Sequence, residues 1–284
     1  MMRIIESPRE AMQGFSHVIP TQEKVRYINH LLRTGFDTVE IGSIVSPKII
    51  PQMADSLEVL KNLDLTGVTT KRMFLVVNTR GAELLAELDE ITHISYPFSF
   101  APAFLKRNLN TTPEKSLDTV KVITEICTKT GKQAVIYISM AFGNLDGDPW
   151  SIDLLVEWVG KLHEAGAGII VLSNVAMEID AAMISDVYSR LIPTLPQVEF
   201  GLHLHTTNEG WQEKVNAAYQ AGCRRFDGVM NGLGGCPMSG TEMLGNLKTE
   251  NLVEFAEIMK FPVGIDRKQM NITCRMAREV FAEY

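Results

Sequence analysis

A chain of 284 residues is long enough for one large domain around one core, and long for a single sandwich. Hydrophobic residues make up 45% and charged residues 21%, and the formal net charge of -7 fits a globular protein with no call for nucleic acid. No apolar run approaches the roughly 18 residues of a membrane span, and Cys127, Cys223, Cys236 and Cys274 lack the spacing of a zinc ribbon or a disulfide framework. All four are expected to be reduced. Met1 to Pro8 shows neither signal-peptide nor transit-peptide character, so the expected compartment is the cytosol.

Strand-like and helix-like segments alternate along the chain. Arg3–Glu6 reads as a strand and Thr21–Thr34 as a helix. Strands follow at Thr38–Ile41, Arg72–Val77 and Glu90–Tyr96, then a helix at Pro113–Thr130, with Thr112 as its cap and proline at its first position. Strand Ala134–Ser139, helix Trp150–Ala165, strands Gly168–Leu172 and Glu199–His203, helix Trp211–Ala221 and strand Arg225–Val229 complete eight rounds. Most of the strands are short, apolar and β-branched, as strands covered on both faces are. Gly35, Gly166 and Gly222 close helices just before strands, where a left-handed residue is needed. After the eighth strand come a glycine-rich loop, a helix near Thr249–Met259 and an amphipathic segment, Arg267–Ala282, suited to packing on the domain or on a partner. This order predicts one α/β domain over residues 1–284, a TIM-type (β/α)8 barrel with an extra C-terminal helical segment.

In such barrels the chemistry sits at the carboxyl ends of the strands. The seventh strand ends in Gly201-Leu202-His203-Leu204-His205, and two histidines at i and i+2 face the same side, able to share one metal ion. The plainer reading packs one and exposes the other. Arg9 and Glu10 follow the first strand, Glu40 ends the second, Asn174 follows the sixth, Asp227 lies in the eighth and Asn246 beyond it. Taken singly, Arg9 also reads as half of a surface salt bridge and Glu40 as a carboxylate bracing the barrel. Gly232-Leu233-Gly234-Gly235-Cys236-Pro237 is a loop that can move and bring backbone close to a ligand; Cys236 is either a reactive group closing on substrate or an idle thiol.

Seven runs, Ser7-Pro8-Arg9-Glu10-Ala11-Met12-Gln13, Ile19-Pro20-Thr21, Val45-Ser46-Pro47-Lys48, Pro51-Gln52-Met53-Ala54-Asp55, His203-Leu204-His205, Gly232 to Pro237 and Gly245-Asn246-Leu247-Lys248-Thr249-Glu250, resemble the 3-hydroxy-3-methylglutaryl-CoA lyase family in order and spacing. The resemblance spans Glu6 to about Phe255. It implies a carbon–carbon lyase whose divalent cation is surrounded by Glu10, His203, His205 and Asn246, a donor set that favours Mg2+ or Mn2+ over structural zinc. It further implies that Arg9 stabilises charge on a thioester oxygen, that His203 moves protons, that Cys236 approaches the substrate and that Glu40 supports the site. Lys106, Arg107 and Asn108 resemble the segment that meets coenzyme A, so the implied partner is an acyl-CoA. A homo-oligomer, with a dimer favoured, is also implied.

Three positions depart from the family pattern. Glu10 stands where the family has aspartate, Asn174 replaces an acidic residue, and Thr206 replaces an aspartate after the second histidine. Weaker metal binding, altered histidine pKa values or another substrate are the expected consequences, because outer carboxylates orient metal-bound histidines. The leading expectation is cleavage of 3-hydroxy-3-methylglutaryl-CoA to acetoacetate and acetyl-CoA. A paralogue running a related aldol or Claisen step on another 3-hydroxyacyl-CoA or 2-oxo acid is the alternative, and a degenerate barrel serving as a binding protein is the reading of another class.

Overall fold

The computed structural model describes residues 2–15, 17–144, 146–175, 177–235 and 244–282. Eight parallel strands close on themselves in sequence order: β1 (Arg3–Glu6), β2 (Thr38–Ile44), β3 (Lys71–Val76), β4 (His93–Phe98), β5 (Gln133–Ile138), β6 (Ile169–Ser173), β7 (Glu199–His203) and β8 (Arg225–Gly228). Closure is made by β1 against β8, with Ile4 opposite Phe226. The expected TIM barrel is therefore present.

The helices are α1 (Pro8–Gln13), α2 (Thr21–Leu31), α3 (Ser56–Lys61), α4 (Thr79–Ala86), α5 (Pro102–Leu109), α6 (Pro113–Lys129), α7 (Ile152–Glu164), α8 (Ala181–Thr194), α9 (Trp211–Gln220), α10 (Thr249–Ile258) and α11 (Arg267–Ala282). Several start where a short polar side chain accepts an otherwise unpaired backbone N–H: Asn78 from Gly81, Thr112 from Lys115, Ser151 from Leu154 and Asp180 from Met183. Each such cap contributes about 1 kcal/mol. Gly35, Gly166 and Gly222 have φ of +99°, +97° and +110°, the left-handed turn expected before a strand.

Most of the core lies between the sheet and the helices. Ile5, Met73, Val135, Ile169 and Val171, from β1, β3, β5 and β6, form a separate apolar group inside the barrel. The second strand runs three residues past its expected end because a register shift between Glu40 and Gly42 lets it keep pairing with β3. Gly42 has to be small there, since a Cβ would come within 2.8 Å of the Phe74 ring. The terminal segment packs on its own barrel: Phe281 of α11 meets Tyr27 of α2 at 6.0 Å and Phe15 at 5.1 Å, both edge-on. Among the described residues no helix is long and apolar enough to cross a membrane. Cys127, Cys223 and Cys274 are free thiols, and Cys236 lies outside the described residues.

Candidate active site

Pro8 opens α1 directly after β1, and the short helix turns Arg9, Glu10 and Gln13 over the barrel mouth. Arg9 is buried, not part of a surface pair. Its Nε and Nη2 reach Glu40 Oε2 at 2.8 and 2.7 Å, Nη2 also reaches Glu10 Oε1 at 2.5 Å, and Nη1 donates to Gln13 Oε1 at 2.7 Å. A guanidinium has five N–H groups, so one on Nη1 has no partner among the described residues. Burial opposes the Arg9 charge, but Glu10 and Glu40 raise its pKa above the ordinary arginine value.

The two carboxylates around Arg9 behave differently. Burial raises Glu40, with Arg9 pulling the other way, while its Oε1 accepts from Ser95 Oγ at 2.9 Å. Glu10 is equally buried, yet Arg9, His203 and His205 together hold it below the usual carboxylate value. Its Oε2 accepts from Gln13 Nε2 at 2.8 Å.

Across the mouth, β7 delivers the two histidines to one side as the i, i+2 spacing requires, with ring centroids 5.0 Å apart. His203 Nδ1 lies 3.3 Å from Asp227 Oδ2, which also accepts the Tyr137 hydroxyl at 2.6 Å. Burial works against the charged His203 ring, but its bond to Asp227 and the charges of Asp227, Glu10 and Glu40 raise its pKa. His205 is pushed down to about 3 by burial and by His203. The main chain of His205 pairs antiparallel with Asn246, which brings the segment after β8 against the site.

The donor set implied for a cation is partly poised. His205 Nδ1 and Asn246 Oδ1 are buried without a hydrogen-bond partner among the described residues, as atoms awaiting a ligand would be. His203 stands beside them, while both Glu10 oxygens are engaged by Arg9 and Gln13. Among the described residues no three His, Cys, Asp or Glu side chains are arranged to hold a metal ion. The pair His205 and Asn246 thus fits a cation as it stands; Glu10 fits only on exchanging Gln13 for it.

Asn174 and Thr206 do more than remove charge. Asn174 Nδ2 donates to the carbonyl oxygens of His205 and Met177 at 2.7 and 2.6 Å, and its Oδ1 accepts the His205 N–H. Thr206 Oγ1 donates to Glu178 Oε1 at 2.7 Å, and buried Lys214 bonds to both. A carboxylate therefore stands close to Thr206 after all, supplied from the loop after β6.

Arg9, Glu10, Gln13 and Tyr137 edge a cavity of about 620 Å3 that reaches from His203 and His205 to Arg80 and Leu84 on α4. Asn108 lines it, and both its amide atoms are buried without a partner among the described residues. Lys106 and Arg107 are turned elsewhere, to Asn110 at 2.6 Å and to Asp146 at 3.0 Å. Gly232 and Gly234 begin the glycine-rich loop against the site. A Cβ on Gly234 would overlap the Glu10 carbonyl oxygen, and one on Gly232 would come within 2.9 Å of the Asn246 carbonyl. Tyr137, Gln13, Ser95 and the Glu178–Lys214 pair were not singled out from sequence. Only Tyr137 leaves a trace there, as an aromatic group at an inward position of a β-branched strand.

Ionisable groups from several strands, gathered at the carboxyl mouth of a closed parallel barrel, define a TIM-barrel enzyme. A family model described as HMGL-like matches residues 3–276. The chain is 31% identical over 268 residues to the hydroxymethylglutaryl-CoA lyase YngG of Bacillus subtilis, covering 93% of this chain and 87% of that one. It is 29% identical over 272 residues to the (R)-citramalyl-CoA lyase of Chloroflexus aurantiacus, covering 92% and 84%. An HMG-CoA lyase of Acinetobacter baumannii, solved with coenzyme A and 3-methylmalate, superposes with a TM-score of 0.90 at 26% identity, covering 99% of this chain and 92% of that one. The chain belongs to the HMGL-like family and is a carbon–carbon lyase.

Proposed function

We propose that this enzyme cleaves the C2–C3 bond of a 3-hydroxy-3-substituted glutaryl-CoA, with 3-hydroxy-3-methylglutaryl-CoA giving acetoacetate and acetyl-CoA, aided by Mg2+ or Mn2+. The observation that carries the reading is the pairing, across one cavity, of a buried guanidinium with a histidine held on a carboxylate. As the 3-hydroxyl loses its proton, C3–O becomes a carbonyl and the C2–C3 electrons pass to the thioester as an enolate. A proton returned to C2 completes acetyl-CoA.

Arg9 suits the enolate oxygen. Its spare N–H and persistent charge are set in a water-poor site, where such a donor is worth more than in water. His203 suits the proton transfers, because Asp227 and Tyr137 fix one edge of its surroundings and leave Nε2 for the cavity. A divalent cation would be held by His205 and Asn246, with Glu10 joining once released from Gln13, and would supply a lowered pKa for the substrate hydroxyl; the sequence resemblance adds His203 to that set, in exchange for its role in proton transfer. Asn108 suits the pantetheine arm: an amide with a free donor and a free acceptor pairs reciprocally with another amide. The relative solved with coenzyme A supports the same substrate class.

A second reading has the same chemistry on another 3-hydroxyacyl-CoA. It draws on Glu10, whose longer side chain is tied to Gln13, and on the relative named for citramalyl-CoA. The test is product formation from 3-hydroxy-3-methylglutaryl-CoA by purified protein with Mg2+ or Mn2+, alongside Arg9→Ala and His205→Ala. Acetoacetate and acetyl-CoA that depend on metal and vanish in both variants are expected. No turnover by protein that binds the metal sinks the named substrate and leaves the second reading.

A further inference from the structure

Lys214 stands on the first turn of α9, where a side chain leans back toward the helix N-terminus, and only 8% of that side chain is exposed. An ammonium there meets both burial and the positive end of the helix, so it is unfavourable unless opposite charge reaches it. Among the described residues, the carboxylate that pairs with it is Glu178, from the loop between β6 and α8. Glu178 is itself 38% open to water, and its Oε1 takes both the ammonium and the Thr206 hydroxyl, the latter at 2.7 Å. Lys214 Nζ also donates to Thr206 Oγ1 at 2.9 Å, so each of the three groups touches the other two.

Thr206 is one end of the short antiparallel bridge that carries the two unpaired polar atoms of the site. The Thr206 N–H donates to the Gly245 carbonyl at 2.8 Å and the Leu247 N–H to the Leu204 carbonyl at 2.9 Å, with His205 opposite Asn246 between them. His205 Nδ1 and Asn246 Oδ1 keep their spacing only while this bridge holds. Asn174 ties the His205 main chain from the other edge. Past Thr206 the chain is exposed from Thr207 to Gly210, so the bridge has to be held at Thr206 itself.

We propose that Glu178 and Lys214 are positioning residues: together they lock the Thr206 end of this bridge, and through it they hold His205 and Asn246 at the spacing a divalent cation needs. The consequence for the cation rests on reading those two residues as its ligands; the lock itself does not. Glutamine in place of Glu178 removes the charge that Lys214 needs, and the ammonium then turns out to water and leaves Thr206. Methionine in place of Lys214 frees Glu178 to turn to water in the same way. A lock and a bare charge effect differ in sign at Lys214. Losing a nearby positive charge alone would tighten a cation, whereas losing the lock weakens it.

The test compares the whole wild-type protein with Glu178→Gln, Lys214→Met and the double variant Glu178→Gln/Thr206→Asp. The first readout needs no metal: NMR hydrogen exchange of the Thr206 and Leu247 amides, with the Phe200 and Leu202 amides of β7 as internal reference. Both single variants are expected to exchange faster at Thr206 and Leu247 and as wild type at the reference. The double variant puts a carboxylate where Thr206 Oγ1 already meets Lys214, and is expected to restore slow exchange. The second readout is Mn2+ binding followed by electron paramagnetic resonance. The single variants should bind about 10-fold more weakly, and the double variant should regain most of the loss. Should Lys214→Met not fold, Glu178→Gln, at a position open to water, decides the exchange comparison.

Slow exchange at Thr206 and Leu247 in folded Glu178→Gln overturns the proposal. Faster exchange spread equally over β7 also overturns it, because a general loosening of the fold then explains the change. Tighter Mn2+ binding by Lys214→Met does the same, since charge then acts and the lock does not. Wild type that binds no Mn2+ counts against the reading of the cation site, while the exchange comparison still decides the lock.

Discussion

Asn174 grips the main chain of His205 from both sides, accepting its N–H at 2.9 Å through Oδ1 and donating to its carbonyl at 2.7 Å through Nδ2. Only an amide can do both. A carboxylate at this position would place negative oxygen against the carbonyls of His205 and Met177, so Asn174→Asp, a change toward the family pattern, is expected to destabilise this protein. Asn174→Ala should cost about 1–3 kcal/mol, because it leaves buried backbone groups unpaired. Urea unfolding at neutral pH measures both, and an Asp variant as stable as wild type would contradict the argument.

The barrel and the two histidines are legible in the sequence because short apolar β-branched runs, glycine stops and H-x-H all act over short spans. Thr206 lacks the family's carboxylate, but one reaches it from elsewhere in the chain, paired with a lysine. Glu178 restores a carboxylate from 28 residues upstream, with Lys214 between, and no local pattern connects those three. Tyr137 and Asp227 likewise meet only because β5 and β8 face each other across the barrel. The far ends of strands were missed where a bulge, as after Glu40, extends pairing beyond the apolar run.

Glu6 gives a pH dependence of known sign. Burial raises its pKa to about 8, opposed by bonds from Thr249 and from the Met230 N–H, the latter at 3.0 Å. A pKa raised on folding means that the native state binds the extra proton. The associated stability is complete below the unfolded carboxylate value near 4.5 and is lost as pH rises through 8, on the order of 5 kcal/mol in all. Glu6→Gln keeps an acceptor for the Met230 N–H and turns its amide N–H toward Thr249 Oγ1, reversing that bond, without the charge. It should be more stable than wild type at pH 8 and nearly level with it at pH 5, as denaturation midpoints at the two values will show.

His93 acts with the opposite sign. Burial first, then the charges of Arg225 and Lys71, push its pKa down to about 3. Its contribution is present above the unfolded value near 6.5 and is lost as pH falls toward 3. His93→Gln is therefore expected to flatten the acid side of the stability profile and to leave the alkaline side, governed by Glu6, as it was. A variant that unfolds in acid along the wild-type curve would show that His93 takes no part.

Gly234 links the start of the glycine-rich loop to Glu10 of the proposed site through backbone alone. Its φ of +77° is left-handed, and a Cβ there would overlap the carbonyl oxygen of Glu10. Gly234→Ala must both strain this turn, at about 1–2 kcal/mol, and push the loop off α1. The barrel does not depend on that contact, so the melting temperature should fall by only a few degrees. Activity should fall further, by about 100-fold if the loop moves on the order of 1 Å, since groups in the site must keep their reacting distances. Loss of activity in step with loss of folded protein would show instead that the glycine serves the fold and not the site.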